Sequence, residues 1–286
     1  MSKYVLVPDS FKGTMTSREI CEIMQHAIER IDSDAKIISV PVADGGEGSV
    51  DAFLSALGGK RKAITVTGPH FEKLSSSYGI TDDGTAVIEM SACAGLPLVY
   101  GKKNPELTTT YGVGELICNA ARSGARRIVI GLGGSATNDG GCGAAAAAGI
   151  KFYDKSGKSF IPVGRTLKDI ASIDYSGLDS ALSGVSISAM CDVDNPLLGE
   201  TGAANIFGPQ KGANAAMIAR LDAGLKHLSE VSGKAELASM PSAGAAGGMG
   251  FGMMAFFNCP LQMGIDGLLD NIEFESILAG ADLVLT

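Results

Sequence analysis

The chain has 286 residues, of which 45% are hydrophobic and 19% are charged, and its formal net charge is −8. This composition indicates a well-packed globular protein with one large domain or two smaller ones. A negatively charged surface repels the phosphates of nucleic acids and of anionic lipids, so we expect neither nucleic acid nor a membrane as a partner.

Cysteine and histidine are few and scattered. The six cysteines form no CxxC pair, and the three histidines show no metal-ligand spacing. Buried free thiols in a reducing compartment fit this pattern better than a disulfide framework or a zinc site.

The N-terminus is too poor in apolar residues for a secretory signal, and no run approaches the roughly 18 apolar residues of a membrane span. We therefore expect a cytoplasmic protein.

The first third of the chain predicts a strand–helix–strand order. Residues 4–7 are apolar and β-prone, and Thr16 with Glu19 forms a capping-box pattern in front of an apolar helical stripe. Residues 36–42 predict a second strand. Between residues 63 and 90 the pattern alternates between polar and apolar with turn signals, which predicts antiparallel strands.

The later elements continue the alternation of strands and helices. The pattern predicts a helix over 110–124, a strand over 127–132, loop-rich chain over 151–185, a strand over 185–191, a helix over 212–231 and a last strand over 281–286. Such an order indicates an α/β protein with a largely parallel sheet. The antiparallel stretch before it indicates a second module with a different sheet.

The loop GLGGSATNDGG at 131–141 follows a predicted strand and precedes an alanine-rich run. Glycines let backbone N–H groups converge, and a helix N-terminus adds partial positive charge, so the loop predicts a cradle for phosphate or carboxylate. A tight strand-to-helix turn is the alternative. The residues assigned to the cradle and to substrate contacts around it are Gly133, Gly134, Ser135, Asn138 and Asp139.

Two standard nucleotide motifs can be tested on the same loop. GLGGSA at 131–136 fits the loose dinucleotide pattern G-x-G-x-x-G/A, which keeps an NAD(P)-dependent oxidoreductase as an alternative. The TNDGG that follows delays the helix that this fingerprint requires at once. A Walker A loop is absent, because the GKS at 157–159 has Phe152 where the motif requires glycine.

Further glycine-containing loops carry charged or polar side chains, several of them at predicted strand ends. The candidates are Ser10 and Lys12 in the first loop, Asp44 and Glu47 in the second, Asp192, Asp194 and Asn195 after the strand at 185–191, and Lys211 before the last long helix. Each alone also fits a helix cap, an Asx turn or an exposed lysine. Together they supply what phosphoryl transfer needs: an N–H cradle, lysines, metal-binding acids and a base.

The chemistry suggests a role for each group. We expect Asp192 to be the base, with Asp194 as its rival, and Lys12 and Lys211 to neutralise phosphates or substrate. Asp44 and Glu47 are the predicted Mg²⁺ ligands.

Six motifs occur in one order along the chain: PDSFKG (8–13), DGGEGS (44–49), GLGGSATNDGG (131–141), DVDNPLLG (192–199), FGPQKGA (207–213) and GAAGGMG (244–250). This series resembles that of the bacterial glycerate kinases of the first type. The resemblance implies transfer of phosphate from ATP to D-glycerate, a small-molecule substrate, with 2-phosphoglycerate as the favoured product.

The resemblance also implies a fold of two α/β domains, one inserted in the other, with the site in the cleft between them. The first would be a Rossmann- or flavodoxin-like domain with a parallel sheet, built from residues 1–65 and 265–286. The second would be a mixed-sheet domain over 66–264. Members of the family continue beyond the strand that matches 281–286, so we expect this chain to lack their C-terminal segment. A truncated, non-catalytic metabolite-binding protein is the remaining alternative.

Overall fold

The computed structural model describes residues 2–9, 11, 14–41, 48–263, 266, 269–270 and 272–286. The strands in this part of the chain are β1 Lys3–Leu6, β2 Lys36–Ser39, β3 Lys60–Thr67, β4 Lys73–Ile80, β5 Thr85–Glu89, β6 Arg127–Gly131, β7 Lys151–Tyr153, β8 Ser159–Phe160, β9 Ser172–Asp174, β10 Ser186–Cys191, β11 Leu261–Met263 and β12 Leu283–Leu285. The helices are α1 Ser17–Glu29, α2 Ser49–Leu57, α3 Ser91–Ala94, α4 Tyr111–Arg122, α5 Cys142–Ala147, α6 Ala203–Phe207, α7 Ala215–Val231, α8 Ala245–Phe257 and α9 Phe274–Leu278.

A small parallel sheet joins the two ends of the chain, in the order β12-β1-β2. Tyr4 of β1 is in register with Leu283 of β12. The helix that follows β1 begins at the predicted capping box. Thr16 accepts a hydrogen bond from the amide of Glu19 at 3.2 Å, and the Glu19 carboxylate accepts one from the amide of Thr16 at 2.7 Å. The predicted start of α1 is therefore confirmed.

The main sheet has six strands in the order β11-β10-β6-β5-β4-β3. The pairs β3–β4 and β4–β5 are antiparallel, as the alternating pattern over 63–90 predicts. The strand β5 also pairs in parallel with β6, in the register Val87↔Val129, which that pattern did not predict. All five residues of β5 are buried, which is typical of a strand covered on both faces and leaves no alternation to read.

Residues 151–185 were expected to be loop-rich, and this expectation is wrong in part. They contain a third, antiparallel sheet in the order β8-β7-β9. Its strands are two or three residues long, too short to show a period in the sequence. Phe152 of β7 anchors this sheet to α8 through an edge-on contact with Phe256, with ring centroids 5.8 Å apart.

The structure confirms the α/β class, with parallel and mixed sheets. We still propose the division into 1–65 plus 265–286 and 66–264, since β1, β2 and β12 form a sheet of their own. The boundary at 65 falls inside β3, whose eight residues all pair with β4, so a cut at Gly58–Gly59 would keep that strand whole. Residues 264 and 265, at the second boundary, lie outside the described residues.

The strands β6 and β10 are parallel neighbours, with Met190 opposite Gly131. Their carboxyl ends therefore lie at one edge of the sheet, and the loops that follow them start side by side. Loops at the carboxyl ends of parallel strands are where ligands bind in open α/β sheets. Among the described residues, no helix is both long enough and apolar enough to cross a membrane.

Candidate active site

A cleft of about 290 Å³ opens at the carboxyl ends of β6 and β10. The turn at 209–211 and the first residues of α8 complete its walls. Its lining residues are Leu132, Gly133, Gly134, Ser135, Cys191, Asp192, Val193, Phe207, Gln210, Lys211, Ala245 and Ala246. Three of the predicted loops thus meet in one cavity, and five of the predicted site residues face it together.

Lys211 is the buried cation of this cleft. Only 1% of the residue is exposed, and its Nζ donates hydrogen bonds to Ser135 Oγ at 2.9 Å and to the carbonyl oxygen of Thr137 at 2.7 Å. Burial lowers the pKa of Lys211 to about 7, while the negative charge of Asp139 acts to raise it. An ammonium group has three N–H donors, so these two bonds leave one for a ligand.

The loop after β6 presents backbone donors to the same cleft. In the described part of the chain, the amides of Gly133, Gly134 and Ser135 donate to no protein acceptor. Other atoms of this loop are held in place, since Leu96 donates to the carbonyl of Gly134 at 2.9 Å and Ala136 donates to the carbonyl of Ala94 at 2.8 Å. Because the loop is held in a fixed conformation, these amide donors are suited to bind an oxyanion. This arrangement supports the predicted cradle for phosphate or carboxylate.

The start of α8 packs against the back of this loop. Ala246, Gly247 and Gly248 have left-handed backbone angles, with φ of 55°, 71° and 83°. A Cβ atom on Gly247 would lie 2.0 Å from the carbonyl oxygen of Thr137, the same oxygen that Lys211 binds. The glycine is therefore required by the close approach of the two backbones.

Asp139 lies beneath the cleft and does not line it. It is fully buried, and its oxygens accept hydrogen bonds from the amides of Thr110 at 2.8 Å, Gly141 at 3.2 Å and Gly143 at 3.2 Å. The Thr110 hydroxyl donates a fourth bond at 2.9 Å. Burial raises the pKa of this carboxyl, against the effect of the four bonds. Asp139 therefore holds the N-terminal ends of α4 and α5 in place, and its predicted contact with substrate stays a prediction.

Asn138 is also fully buried and lies outside the cleft lining. Among the described residues, neither its Oδ1 nor its Nδ2 has a hydrogen-bond partner, and the same holds for Oγ1 of Thr137. The structure therefore does not bring Asn138 together with the other predicted substrate contacts.

The loop after β10 separates its three candidates. Asp192 is exposed and lines the cleft, whereas Asp194 is exposed outside the lining. Asn195 holds the loop itself, because its Nδ2 donates to the carbonyl of Thr201 at 2.8 Å and its own carbonyl accepts from Gly244 at 2.9 Å. Of the three residues, only Asp192 lines the cleft, and the predicted substrate contacts of Asp194 and Asn195 stay predictions.

Four predicted residues, Ser10, Lys12, Asp44 and Glu47, lie outside the described residues. Within the described chain there is no group of three or more His, Cys, Asp and Glu side chains that could hold a metal ion. The predicted Mg²⁺ ligands therefore stay a prediction.

Sequence reasoning missed Glu89, at the end of β5. Only 8% of it is exposed, and its Oε1 accepts hydrogen bonds from the amides of Gly48 at 3.1 Å and Val50 at 2.8 Å, at the start of α2. A carboxylate at a helix N-terminus is a favourable arrangement, even though burial raises the pKa of this one. An acid that ends an otherwise apolar strand, TAVIE, is the signal that could have found it.

The comparisons with known proteins agree with this geometry. The family model described as "Glycerate kinase family" matches residues 4–286. The chain is 46% identical to the glycerate 2-kinase of Escherichia coli (strain K12) and 45% identical to the glycerate kinase of Bacillus subtilis (strain 168), and each match covers 99% of this chain and 76% of the relative. A crystal structure described as glycerate kinase 2 from Salmonella typhimurium LT2 superimposes with a TM-score of 0.93 at 41% identity, covering 99% of this chain and 77% of the other.

Proposed function

The chain belongs to the glycerate kinase family, and on this premise we propose that it transfers the γ-phosphoryl group of ATP to a hydroxyl group of D-glycerate. We favour 2-phosphoglycerate as the product, because one relative at 46% identity is named a glycerate 2-kinase. The predicted cytoplasmic location fits the six free, buried cysteines and belongs to the same proposal.

The observation that carries the proposal is the meeting of three kinds of group in one cleft. The amides of Gly133, Gly134 and Ser135 offer donors to an oxyanion, Lys211 adds a buried cation, and Asp192 adds a carboxylate. Phosphoryl transfer requires positioning and charge stabilisation more than covalent chemistry by the protein. The cleft has groups for both tasks.

In the proposed step, Asp192 accepts the proton of the reacting glycerate hydroxyl. The hydroxyl oxygen forms a bond to the γ-phosphorus while the bond from that phosphorus to the β–γ bridging oxygen breaks, and ADP leaves. The amides of Gly133–Ser135 and the ammonium group of Lys211 stabilise negative charge on the phosphoryl oxygens or on the substrate carboxylate. A general base of this kind contributes roughly 10²- to 10⁴-fold in rate.

The cleft fits the phosphates of a nucleotide, since its backbone donors and its lysine offer only hydrogen-bond donors to a ligand. We propose Asp44, Glu47 and the nucleotide phosphates as the ligands of Mg²⁺, which would neutralise charge on the phosphates. No step above depends on the metal.

The dinucleotide alternative finds no support in the local geometry. After GLGGSA the chain continues through further loop, and α5 begins only at Cys142. The G-x-G-x-x-G fingerprint requires its helix to start within the glycine turn. The local geometry therefore does not favour an oxidoreductase function.

Product analysis by ³¹P NMR tests the proposal, with the chain, Mg–ATP and D-glycerate. We expect ADP together with the resonance of 2-phosphoglycerate. A 3-phosphoglycerate resonance would correct the position of transfer and keep the kinase. Absence of any phosphoglycerate in a sample that binds D-glycerate would instead favour the non-catalytic binding protein.

A further inference from the structure

The Ser135 hydroxyl lies at the surface of the cleft with Lys211 next to it. The distance from Lys211 Nζ to Ser135 Oγ is 2.9 Å, and both residues are buried, Ser135 with 6% and Lys211 with 1% of its surface exposed. A serine hydroxyl has one proton to donate and lone pairs that accept. While an ammonium group donates to Oγ, the hydroxyl proton cannot point at Nζ, so it must point elsewhere.

The described part of the chain offers this proton no acceptor. In the described chain the Ser135 hydroxyl donates to no carbonyl, carboxylate or side-chain oxygen. The amides of Gly133 and Gly134, which line the same cleft, are donors as well. An oxyanion in the cleft can supply this acceptor, because a phosphate or carboxylate oxygen only accepts hydrogen bonds and so matches all of these donors at once.

We propose that Lys211 is a positioning residue that sets the direction of the Ser135 hydroxyl, so that Ser135 donates to an oxyanion in the cleft only while Lys211 carries its proton. When Lys211 is neutral, its Nζ lone pair accepts the Ser135 proton, and the hydroxyl turns away from the cleft. The oxyanion then loses both the charge and one donor. This inference deepens the proposed function and rests on it for the identity of the oxyanion, a phosphoryl group or the glycerate carboxylate.

Other charged groups near Lys211 determine how readily it keeps its proton. Asp139 lies behind the loop and favours the charged form, whereas burial opposes it and brings the pKa to about 7. Asp192 lines the same cleft, and Lys103 donates from its Nζ to the carbonyl of Gln210 at 3.1 Å, next to Lys211 in the chain. An oxyanion adds negative charge beside Nζ, so its binding above pH 7 takes up a proton.

The test measures binding of sulfate, an oxyanion that does not titrate between pH 6 and pH 9, by calorimetry on the full chain. We compare wild type with Ser135→Ala at pH 6 and at pH 9. We expect wild type to bind at least 10-fold more weakly at pH 9, since the affinity follows the charged fraction of Lys211. At pH 6 we expect Ser135→Ala to weaken binding about 5-fold or more, and at pH 9 to change it less than 2-fold.

The dependence of the Ser135→Ala effect on pH separates the possibilities. An equal loss at both pH values would show a hydroxyl that donates regardless of Lys211 and would overturn the inference, as would no loss at either pH. Lys211→Met should remove the pH dependence of sulfate binding, and persistence of that dependence would also overturn it. Ser239→Ala is the matched control, because its hydroxyl donates to the carbonyl of Glu236 on the protein surface.

Sulfate binding requires no turnover, so the inference and the proposed function can fail separately. A chain that shows the predicted binding pattern but makes no phosphoglycerate would refute the kinase and leave the pairing of Ser135 with Lys211 intact. A chain that makes phosphoglycerate but shows no pH-dependent Ser135 effect would refute the pairing alone.

Discussion

Thr110 and Asp139 are joined by two hydrogen bonds across 29 residues of sequence: the amide of Thr110 donates to the Asp139 carboxylate at 2.8 Å and its hydroxyl donates to the same oxygen at 2.9 Å. Thr110 immediately precedes α4, and Asp139 lies in the loop before α5. One carboxylate thus fixes the loop of the cleft to the starts of two helices. Its role in this structure is to hold the loop in shape.

Replacing Asp139 should therefore reduce stability. Asp139→Asn puts an NH₂ group where backbone N–H groups now donate, and we expect the free energy of unfolding to fall by about 2–4 kcal/mol, measured by urea denaturation. Asp194→Asn is the control, because Asp194 is exposed, and it should change stability by less than about 0.5 kcal/mol. Equal stability of the two variants would contradict this role.

The pH dependence of stability should reveal the buried lysine. The folded pKa of Lys211 is about 7 and its ordinary value is 10.5, so between these pH values the unfolded chain binds more protons than the folded one. The contribution of Lys211 to stability therefore rises with pH through that window and is lowest below pH 7. We compare the free energy of unfolding of Lys211→Met with that of wild type at each pH. This difference should be more favourable to the variant at pH 6 than at pH 9, by at least about 1 kcal/mol. A stability difference that is the same at pH 6 and pH 9 would show that Lys211 titrates normally.

The close packing of α8 on the cleft loop can be tested with two glycines. Gly247 and Gly233 have similar left-handed φ angles, 71° and 68°, but a Cβ on Gly247 would meet the Thr137 carbonyl at 2.0 Å, whereas Gly233 faces open space. We expect Gly233→Ala to cost about 1 kcal/mol through backbone strain alone and Gly247→Ala to cost about 3 kcal/mol or more. Similar losses in thermal denaturation of the two variants would contradict the close approach.

The proposed role of Asp192 as the general base can be tested by comparing substitutions of Asp192 and Asp194. Both are exposed and only two residues apart, but only Asp192 lines the cleft. Asp192→Asn should lower kcat by about 100-fold or more, whereas Asp194→Asn should stay within about 3-fold of wild type. Near-normal turnover of Asp192→Asn in steady-state assays would remove it from the role of base.

Much of the site could be predicted from the sequence. The strand-end positions of Gly133–Ser135 and Asp192 followed from apolar runs that stop at polar, glycine-rich loops, and parallel strand ends meet at one edge of a sheet. Lys211 could be proposed because it lies between glycines before a helix. Its burial could not, since a lysine in such a turn is usually solvated.

The features that the sequence does not determine have a common physical origin. The polar residues of a glycine-rich loop can bind a ligand or satisfy the loop's own amides, and both uses need the same residue types. Asp139, predicted to contact substrate, accepts four bonds from the protein, and its contact with substrate stays a prediction. The Thr137 carbonyl accepts a hydrogen bond from Lys211, but it belongs to the backbone, so no residue type in the sequence indicates this contact. The parallel pairing of β5 and the short strands β7–β9 depend on long-range contacts that no local pattern records.

The most direct measurement is ADP formation by this chain from Mg–ATP, with and without D-glycerate, in wild type, Lys211→Met and Asp192→Asn. We predict ADP release that depends on D-glycerate in wild type and falls by about 100-fold or more in both variants. D-glycerate-dependent ADP release that both variants retain at the wild-type rate would contradict the assignment of this cleft as the site of phosphoryl transfer.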